Sequence, residues 1–235
     1  MMKRKLLFSL CLISSSLIAS AHALWIETTV NGTKGKAHAV SVYFGEYAEN
    51  ERDTVSQWFS NLKDVQVFIT APDGNKKQLS LTDAVDHYAG EFTPDQQGVY
   101  TIALAHTVAD VYGSSKIEYY ATGVVQVGNK NNAGLSAATH LALQPVTEQS
   151  GKGKANSVKV YNNGQSSADT KVVINSPDGW VKNIQTDASG AISFQPVGTG
   201  RYMLEAIYSD KTPGTHNGKA YQSVSHLVTH CVYVD

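Results

Sequence analysis

Apolar residues alternate with polar ones in many short segments of this chain, and this alternation constrains its fold more than any other feature. The segments are HAVSVYF, DVQVFIT, GVYTIALAH and GVVQVG, followed by SVKVYNN, TKVVINSP, AISFQPV, RYMLEAIY and SVSHLVTHCVYV. A period of two is typical of strands that bury one face. Turn signals such as PDGN and PDQQG separate the segments. The sequence therefore predicts an all-β protein.

One segment departs from the alternation. In ENERDTVSQWFSNLKD, the residues Val55, Trp58, Phe59 and Leu62 have the spacing i, i+3, i+4, i+7. This spacing is typical of one face of a helix. We expect one or two helical turns that lie across an end of a sheet.

A Gly-, Asn- and Ala-rich stretch, GNKNNAGLSAATH, divides the chain and has no apolar period. Such a composition favours a linker. We therefore predict two tandem β-sandwich domains, an immunoglobulin-like sandwich over residues 22–128 and a second sandwich over residues 141–235, joined by a linker over residues 129–140.

The second half contains TDASGAISF after an SPDG turn. Asp187 can close an Asx-turn, and Gly190 can take the positive φ that this turn needs. The order of strands and turns resembles the Cna-B-like or transthyretin-like sandwich, in which a T-D-x-x-G-x-x-x-F segment links two strands. That resemblance implies a fold and not a function, because such modules serve many roles.

The first residues have the composition of an export signal. Three basic residues precede an apolar run, Leu6 to Ile18, which is too short to span a membrane. Two small-x-small cleavage signals then overlap in ASAHA. Cleavage at the first gives a signal peptide of residues 1–21 and a mature chain that begins with His22, whereas cleavage at the second gives Leu24. We expect an exported protein whose mature chain does not insert into the membrane.

Charge and cysteine content narrow the class of protein further. Loss of the leader leaves 16 basic residues against 20 acidic ones. A mildly acidic chain without a basic cluster argues against nucleic acid as a partner. One cysteine, Cys231, remains, so the sequence predicts no internal disulfide. We expect Cys231 to be a small buried apolar residue, with a role as thiol ligand of a soft metal as the alternative.

His22 is the strongest candidate for chemistry. An amino-terminal histidine can grip a metal ion with its free amine and its Nδ1, and Cu²⁺ and Ni²⁺ favour nitrogen ligands. His38 and His106 open and close strands, where sandwich ends can assemble a site, so we take them as additional candidate ligands. The alternative is that each is a hydrogen-bonded histidine at a sandwich edge. His226 and His230 are about 13 Å apart on a strand and need separate partners.

Signatures of catalysis are absent from the sequence. It contains no Gly-x-Ser-x-Gly, Cys-x-x-Cys, phosphate-binding loop or His-Glu-x-x-His. We predict that the protein is not an enzyme.

The opening AHALWIE resembles the start of a family of bacterial periplasmic proteins catalogued mostly as a domain of unknown function. His22, Trp25, Ile26 and Glu27 match that opening, whereas Ala23 stands where an acidic residue is usual. Some members accompany energy-coupling-factor transporters for nickel or cobalt. The resemblance implies a periplasmic accessory protein that binds nickel or cobalt and presents it to an inner-membrane transporter component. The alternatives are a structural or adhesive module without a ligand, and a copper-binding protein that uses its amino-terminal histidine.

Overall fold

The computed structural model describes residues 22–128, 139–146 and 153–234. Within them nearly every regular element is a β-strand, and the strands form layered sheets, which confirms the predicted all-β sandwich class. The predicted signal peptide, residues 1–21, and most of the predicted linker, residues 129–138, lie outside the described residues.

The first half of the chain carries nine strands. They are β1 (Ala23–Glu27), β2 (Asn31–Gly32), β3 (His38–Gly45), β4 (Val67–Thr70), β5 (Lys76–Leu79), β6 (Leu81–Asp83), β7 (Tyr88–Phe92), β8 (Gly98–Tyr112) and β9 (Ser115–Val127). In β3 and β8 the predicted phase is confirmed, because the residues of that phase are the buried ones.

Ten further strands follow in the second half. They are β10 (Leu141–Pro145), β11 (Asn156–Asn162), β12 (Gln165–Ser166), β13 (Lys171–Asn175), β14 (Val181–Gln185), β15 (Ala191–Phe194), β16 (Gly200–Asp210), β17 (Gly214–His216), β18 (Lys219–Tyr221) and β19 (Ser223–Val234). Asp187 closes the turn before β15 as predicted, since its Oδ1 accepts from the backbone nitrogens of Ser189 and Ala191 at 2.8 and 3.0 Å. Gly190 has the expected positive φ of 75°.

The predicted helical turns exist as two short 3-10 helices, Val55–Gln57 and Leu62–Asp64. Val55, Trp58 and Leu62 are buried in the first core, so the apolar spacing identified the residues that anchor this segment. The segment is too irregular for a single α-helix.

A nine-stranded sheet runs through both halves of the chain. Its order is β14-β13-β16-β19-β9-β8-β4-β5, and β2 pairs with β9 as well. The two halves meet where β19 pairs in parallel with β9, from Ser223 opposite Ser115 to His230 opposite Thr122. Parallel neighbours need a long crossover connection. Here the chain from β10 to β18 forms that connection.

Smaller sheets pack on the two ends of the shared one. The sheet β1-β3-β7-β6 covers the first core, and β10-β11-β12 with β15 covers the second. The structure has two main cores, and a continuous sheet joins the halves of the chain, which the sequence did not indicate. The predicted domain boundaries stay a prediction. The assignment of the halves to immunoglobulin-like and Cna-B-like types stays a prediction.

A third apolar cluster closes the junction between the halves. Trp25 of β1 packs with Met203 and Cys231 of the shared sheet. The indole Nε1 donates to Glu27 Oε1 at 2.9 Å, and Glu27 also pairs with the guanidinium groups of Arg52 and Arg201. Trp25 and Glu27, which carry the resemblance in the opening motif, therefore hold the two halves together.

No helix in the described part of the chain is long and apolar enough to cross a membrane.

Candidate functional site

The start of β1 is held tightly on two sides. Ala23 pairs with Gly45 of β3 and is 4% exposed. On the side of the shared sheet, the Tyr119 hydroxyl donates to the carbonyl oxygen of His22 at 3.1 Å. Thr229 likewise donates to the carbonyl of Leu24 at 2.7 Å. The backbone of residues 22–24 is therefore part of the folded structure.

The His22 side chain lies at the surface beside a carboxylate. Its Nε2 is 3.8 Å from Asp53 Oδ1, which is within ion-pair range but too long for a direct hydrogen bond. The side chain is 45% exposed, and its ring packs on Phe44 with the centroids 5.5 Å apart. With Nε2 towards Asp53, Nδ1 is the nitrogen that can close a chelate with the residue's own amino group.

His38 cannot join His22 at one site, and this candidate ligand was wrong. His38 begins β3, while the pairing of Ala23 with Gly45 puts His22 at the other end of that strand. β3 has eight residues, so its two ends lie about 23 Å apart. The His38 Nε2 instead lies 2.9 Å from Thr28 Oγ1 and 3.0 Å from the Thr29 carbonyl oxygen. Burial lowers its pKa. His38 therefore fits the alternative prediction, a hydrogen-bonded histidine at the edge of a sandwich.

His106 faces the same side of the shared sheet as the start of β1. It lies opposite Tyr119 in the β8–β9 ladder, and directly opposed residues point to the same face. The residue is 8% exposed, and its Nε2 has no hydrogen-bond partner within the described residues. Burial lowers its pKa, with an opposing effect of Asp64. His106 is thus a buried neutral imidazole.

The three predicted ligands do not assemble into one centre. Across residues 22–128, 139–146 and 153–234, no group of three or more His, Cys, Asp or Glu side chains is placed to hold a metal ion. That search covers side chains and not a free amino group. Cleavage after Ala21 would give His22 such a group.

Two acidic residues lie near the start of β1, and sequence reasoning missed the second of them, Glu205. The buried Glu46 directly follows β3, and its Oε2 has no hydrogen-bond partner among the residues described. Glu205 lies in β16, opposite Thr229 of β19. Burial and the negative charge of Glu46 raise the pKa of Glu205 to about 7. A signal for Glu205 was available, because it interrupts the apolar run YMLEAI.

A second cluster of ionisable groups lies on the other side of the shared sheet. The rings of His140 and His226 are stacked with centroids 4.3 Å apart and an interplanar angle of 3°. His226 Nδ1 lies 3.1 Å from Glu118 Oε2 and 3.2 Å from the Tyr120 hydroxyl. The hydrogen bond from His226 is the main reason why the pKa of Glu118 is lowered. Burial, then the charge of His226, lowers the pKa of His140.

His230 has its own partner, Thr122, so the prediction of separate partners for His226 and His230 is confirmed. His230 Nδ1 lies 2.9 Å from Thr122 Oγ1 and 3.1 Å from the Thr122 carbonyl oxygen. Because a carbonyl oxygen only accepts, Nδ1 carries the proton. The neighbouring Cys231 is buried and its Sγ lies 3.9 Å from Met203 Sδ, as expected for a small apolar residue.

Comparison with known proteins places the chain in a family. The family model described as Domain of unknown function (DUF4198) matches residues 19–210. The chain belongs to the DUF4198 family. This confirms the expected membership of a domain-of-unknown-function family, while the association with nickel or cobalt stays a prediction. The DUF4198 match ends before β17, so the strand that joins the halves lies beyond it.

Solved structures give only a distant likeness. This DUF4198 chain is similar to the BSP domain of a biofilm associated protein, with 11% identity over 90% of this chain and 30% of that chain, at a TM-score of 0.25. It is also similar to a segment of two fibronectin type III domains from chicken tenascin, with 15% identity over 86% of this chain and 95% of that chain, at a TM-score of 0.25. At these scores neither likeness carries an argument about function. No curated protein matches the chain.

Proposed function

We propose that the protein is a non-enzymatic periplasmic metal-binding protein, whose mature amino terminus is His22 and whose amine and imidazole hold one divalent transition metal. Nickel or cobalt, presented to an inner-membrane transporter component, is the cargo that the family resemblance implies. Copper is the alternative, because two nitrogen donors also suit Cu²⁺. His38 is not part of this proposal.

The observation that carries the proposal is the position of His22 beside Asp53. A metal-binding histidine commonly donates its second ring N–H to a carboxylate, which fixes the tautomer and turns the other nitrogen to the metal. Nε2 lies 3.8 Å from Asp53 Oδ1, so a small rotation of either side chain would complete that arrangement. Nδ1 then stays available beside the amino nitrogen, and the ring remains open to solvent.

The structure also supports cleavage after Ala21 over cleavage after Ala23. Cleavage after Ala23 would remove a buried strand residue with its pairing to Gly45, and the carbonyl that accepts from Tyr119. Each lost hydrogen bond costs about 1 kcal/mol of stability. Cleavage after Ala21 keeps both interactions and leaves His22 as the first residue.

The test is native mass spectrometry and titration calorimetry on protein purified from a periplasm. The intact mass reports the first residue, and Ni²⁺, Co²⁺, Cu²⁺ and Zn²⁺ are offered one at a time. We expect a chain that begins with His22 and binds one ion, with His22→Ala abolishing binding and Asp53→Asn weakening it roughly 10- to 100-fold.

His216→Ala is the matched control, because His216 lies in the β17–β18 hairpin, where its Nε2 is 3.0 Å from the Val108 carbonyl oxygen and not beside Asp53. It should leave binding unchanged. A chain that begins with Leu24, or affinity that is equal in His22→Ala and in the unaltered protein, would rule out the amino-terminal chelate and leave a structural module as the function.

A further inference from the structure

Two histidine rings lie face to face at the start of β10. His140 directly precedes β10, and its ring is stacked on that of His226 in β19, with the centroids 4.3 Å apart and the planes 3° from parallel. Two imidazolium rings in this arrangement would repel each other, because like charges at that distance are unfavourable away from bulk water. The stack therefore accommodates one charged ring more easily than two.

His226 is the fixed member of the pair. It is 3% exposed, and its Nδ1 lies 3.1 Å from Glu118 Oε2 and 3.2 Å from the Tyr120 hydroxyl. The Tyr120 hydroxyl donates to the same Glu118 oxygen, so both oxygens beside His226 are acceptors and Nδ1 carries a proton. Lys116 pairs with the other Glu118 oxygen at 2.6 Å. A further proton on His226 Nε2 would give an imidazolium beside an ionised carboxylate, which is a favourable pairing.

His140 is the member of the pair that can leave. It is half-buried and lies at the end of a strand, and its ring is stacked on both Tyr120 and His226. Burial and then the charge of His226 lower the pKa of His140, and the opposing effects of Glu118 and Asp210 do not cancel them. The other ionisable side chains that face the stack, or lie in β11 beside β10, are Lys116, Tyr208, Lys159 and Tyr161.

The position of His140 fixes the start of β10 over the second core. The His140 carbonyl oxygen accepts from the backbone nitrogen of Asn163 at 2.7 Å. The next residue, Leu141, pairs with β11 and is fully buried, in the same core as Tyr120 and Val228 of the shared sheet. Displacement of His140 would therefore loosen the first contacts of a strand that covers this core.

We propose that the His140–His226 stack is a pH-operated latch on the start of β10. While no more than one of the two rings is charged, His140 stays stacked and β10 stays closed over the second core. Uptake of the second proton below about pH 6.5 expels His140 and opens the start of β10, which exposes Tyr120 and His226 to solvent. The latch lies on the opposite side of the shared sheet from His22, and it requires no metal ion.

Hydrogen exchange in the presence of a chelator tests the latch, because it reports local opening at single amides. The amide of Asn163 is the reporter, and its exchange is divided by the intrinsic rate at each pH between 7.5 and 5. We expect its protection factor to fall roughly tenfold or more, the change for one pKa unit of repulsion between the rings. Protection that does not change with pH would overturn the proposal. So would equal protection of Asn163 and the β16–β19 amides at pH 5, since that result would mean global unfolding.

His140→Phe is the decisive variant, because phenylalanine keeps a flat ring on His226 but cannot take up a proton. It should remove most of the pH dependence at Asn163. His87→Phe is the matched control, since His87 is also a partly buried histidine with a ring contact, on Tyr43 in the first half of the chain. This control should keep the full pH dependence. An equal fall in His140→Phe and in the unaltered protein would overturn the latch.

A second measurement needs no variant. Magnetic resonance titration of the imidazole signals should show the two rings of the stack taking up their protons in separate steps, about one pH unit or more apart, because the first charge opposes the second. Protonation of both rings in one step, or a His140 ring that stays stacked when both are charged, contradicts the latch.

Discussion

Acidification should remove a contribution of His230 to the stability of this protein, and the structure allows us to work out its size. The buried Glu205, whose pKa is raised to about 7, acts in the opposite direction, so a variant of His230 is needed to isolate the effect of the histidine. Burial in the shared sheet lowers the pKa of His230 to about 4, from 6.5 for an unperturbed histidine. The fold therefore holds the neutral imidazole, whereas the unfolded chain takes up a proton near pH 6.5. The contribution of His230 to the free energy of unfolding is fully present above pH 6.5. It falls as the pH drops from 6.5 to 4 and is constant below pH 4. At about 1.4 kcal/mol per pKa unit, the loss is about 3 kcal/mol.

His230→Asn provides the measurement, because an asparagine amide keeps an N–H near the position of Nδ1 but does not titrate. Urea unfolding of both proteins at intervals between pH 7.5 and 4 gives the free energy of unfolding at each pH. The variant should be less stable at pH 7.5, since the packing of the imidazole ring is lost. Its free energy of unfolding should change less with pH, because unfolding of the variant takes up about one proton fewer between pH 6.5 and 4. His216→Asn, in the β17–β18 hairpin, is the control for loss of an imidazole outside the shared sheet. Parallel curves for His230→Asn and the unaltered protein would refute a neutral buried His230.

Three further predictions follow from the junction between the halves. Cys231 should not react with a maleimide until the protein unfolds, because burial raises the pKa of its thiol to about 12; labelling of the native protein at pH 8 checks this. Glu27→Gln should lower the free energy of unfolding by about 2 kcal/mol, because Arg52 and Arg201 lose a partly buried ion-pair partner. Urea unfolding measures this loss. The two cores should unfold in one transition, and tryptophan fluorescence and far-ultraviolet circular dichroism of the unaltered protein should give coincident curves; separate midpoints would contradict a shared sheet.

Sequence reasoning succeeded where the physical cause is local. Alternation identified the buried face of β3 and β8, because side chains of a strand point to opposite sides in turn. The turn before β15 was predictable as well, since Asp187 and Gly190 are adjacent to the backbone groups that they satisfy. These features depend on neighbours within a few residues.

The features that sequence reasoning missed depend on strand neighbours. Alternation shows which face of β19 is buried but not that its partner is β9, about a hundred residues earlier and parallel. The same limit explains the candidate site. His22 and His38 both lie at strand ends, and only the antiparallel register reveals that these ends are opposite ones. Glu46 follows β3 and Glu205 lies in β16, so no local sequence pattern relates these two acidic residues.

The pairing of β19 with β9 and β16 also sets the order in which the molecule can be completed. These twelve residues follow β9 and β16 in the chain, and they fill the gap between those two long strands. Until they arrive, β9 and β16 each present a row of unpaired backbone groups, the kind of edge that recruits strands from other chains. A chain that lacks β19 would carry two unpaired inner edges instead of one continuous sheet. β19 is thus the strand whose absence would most favour aggregation of this protein.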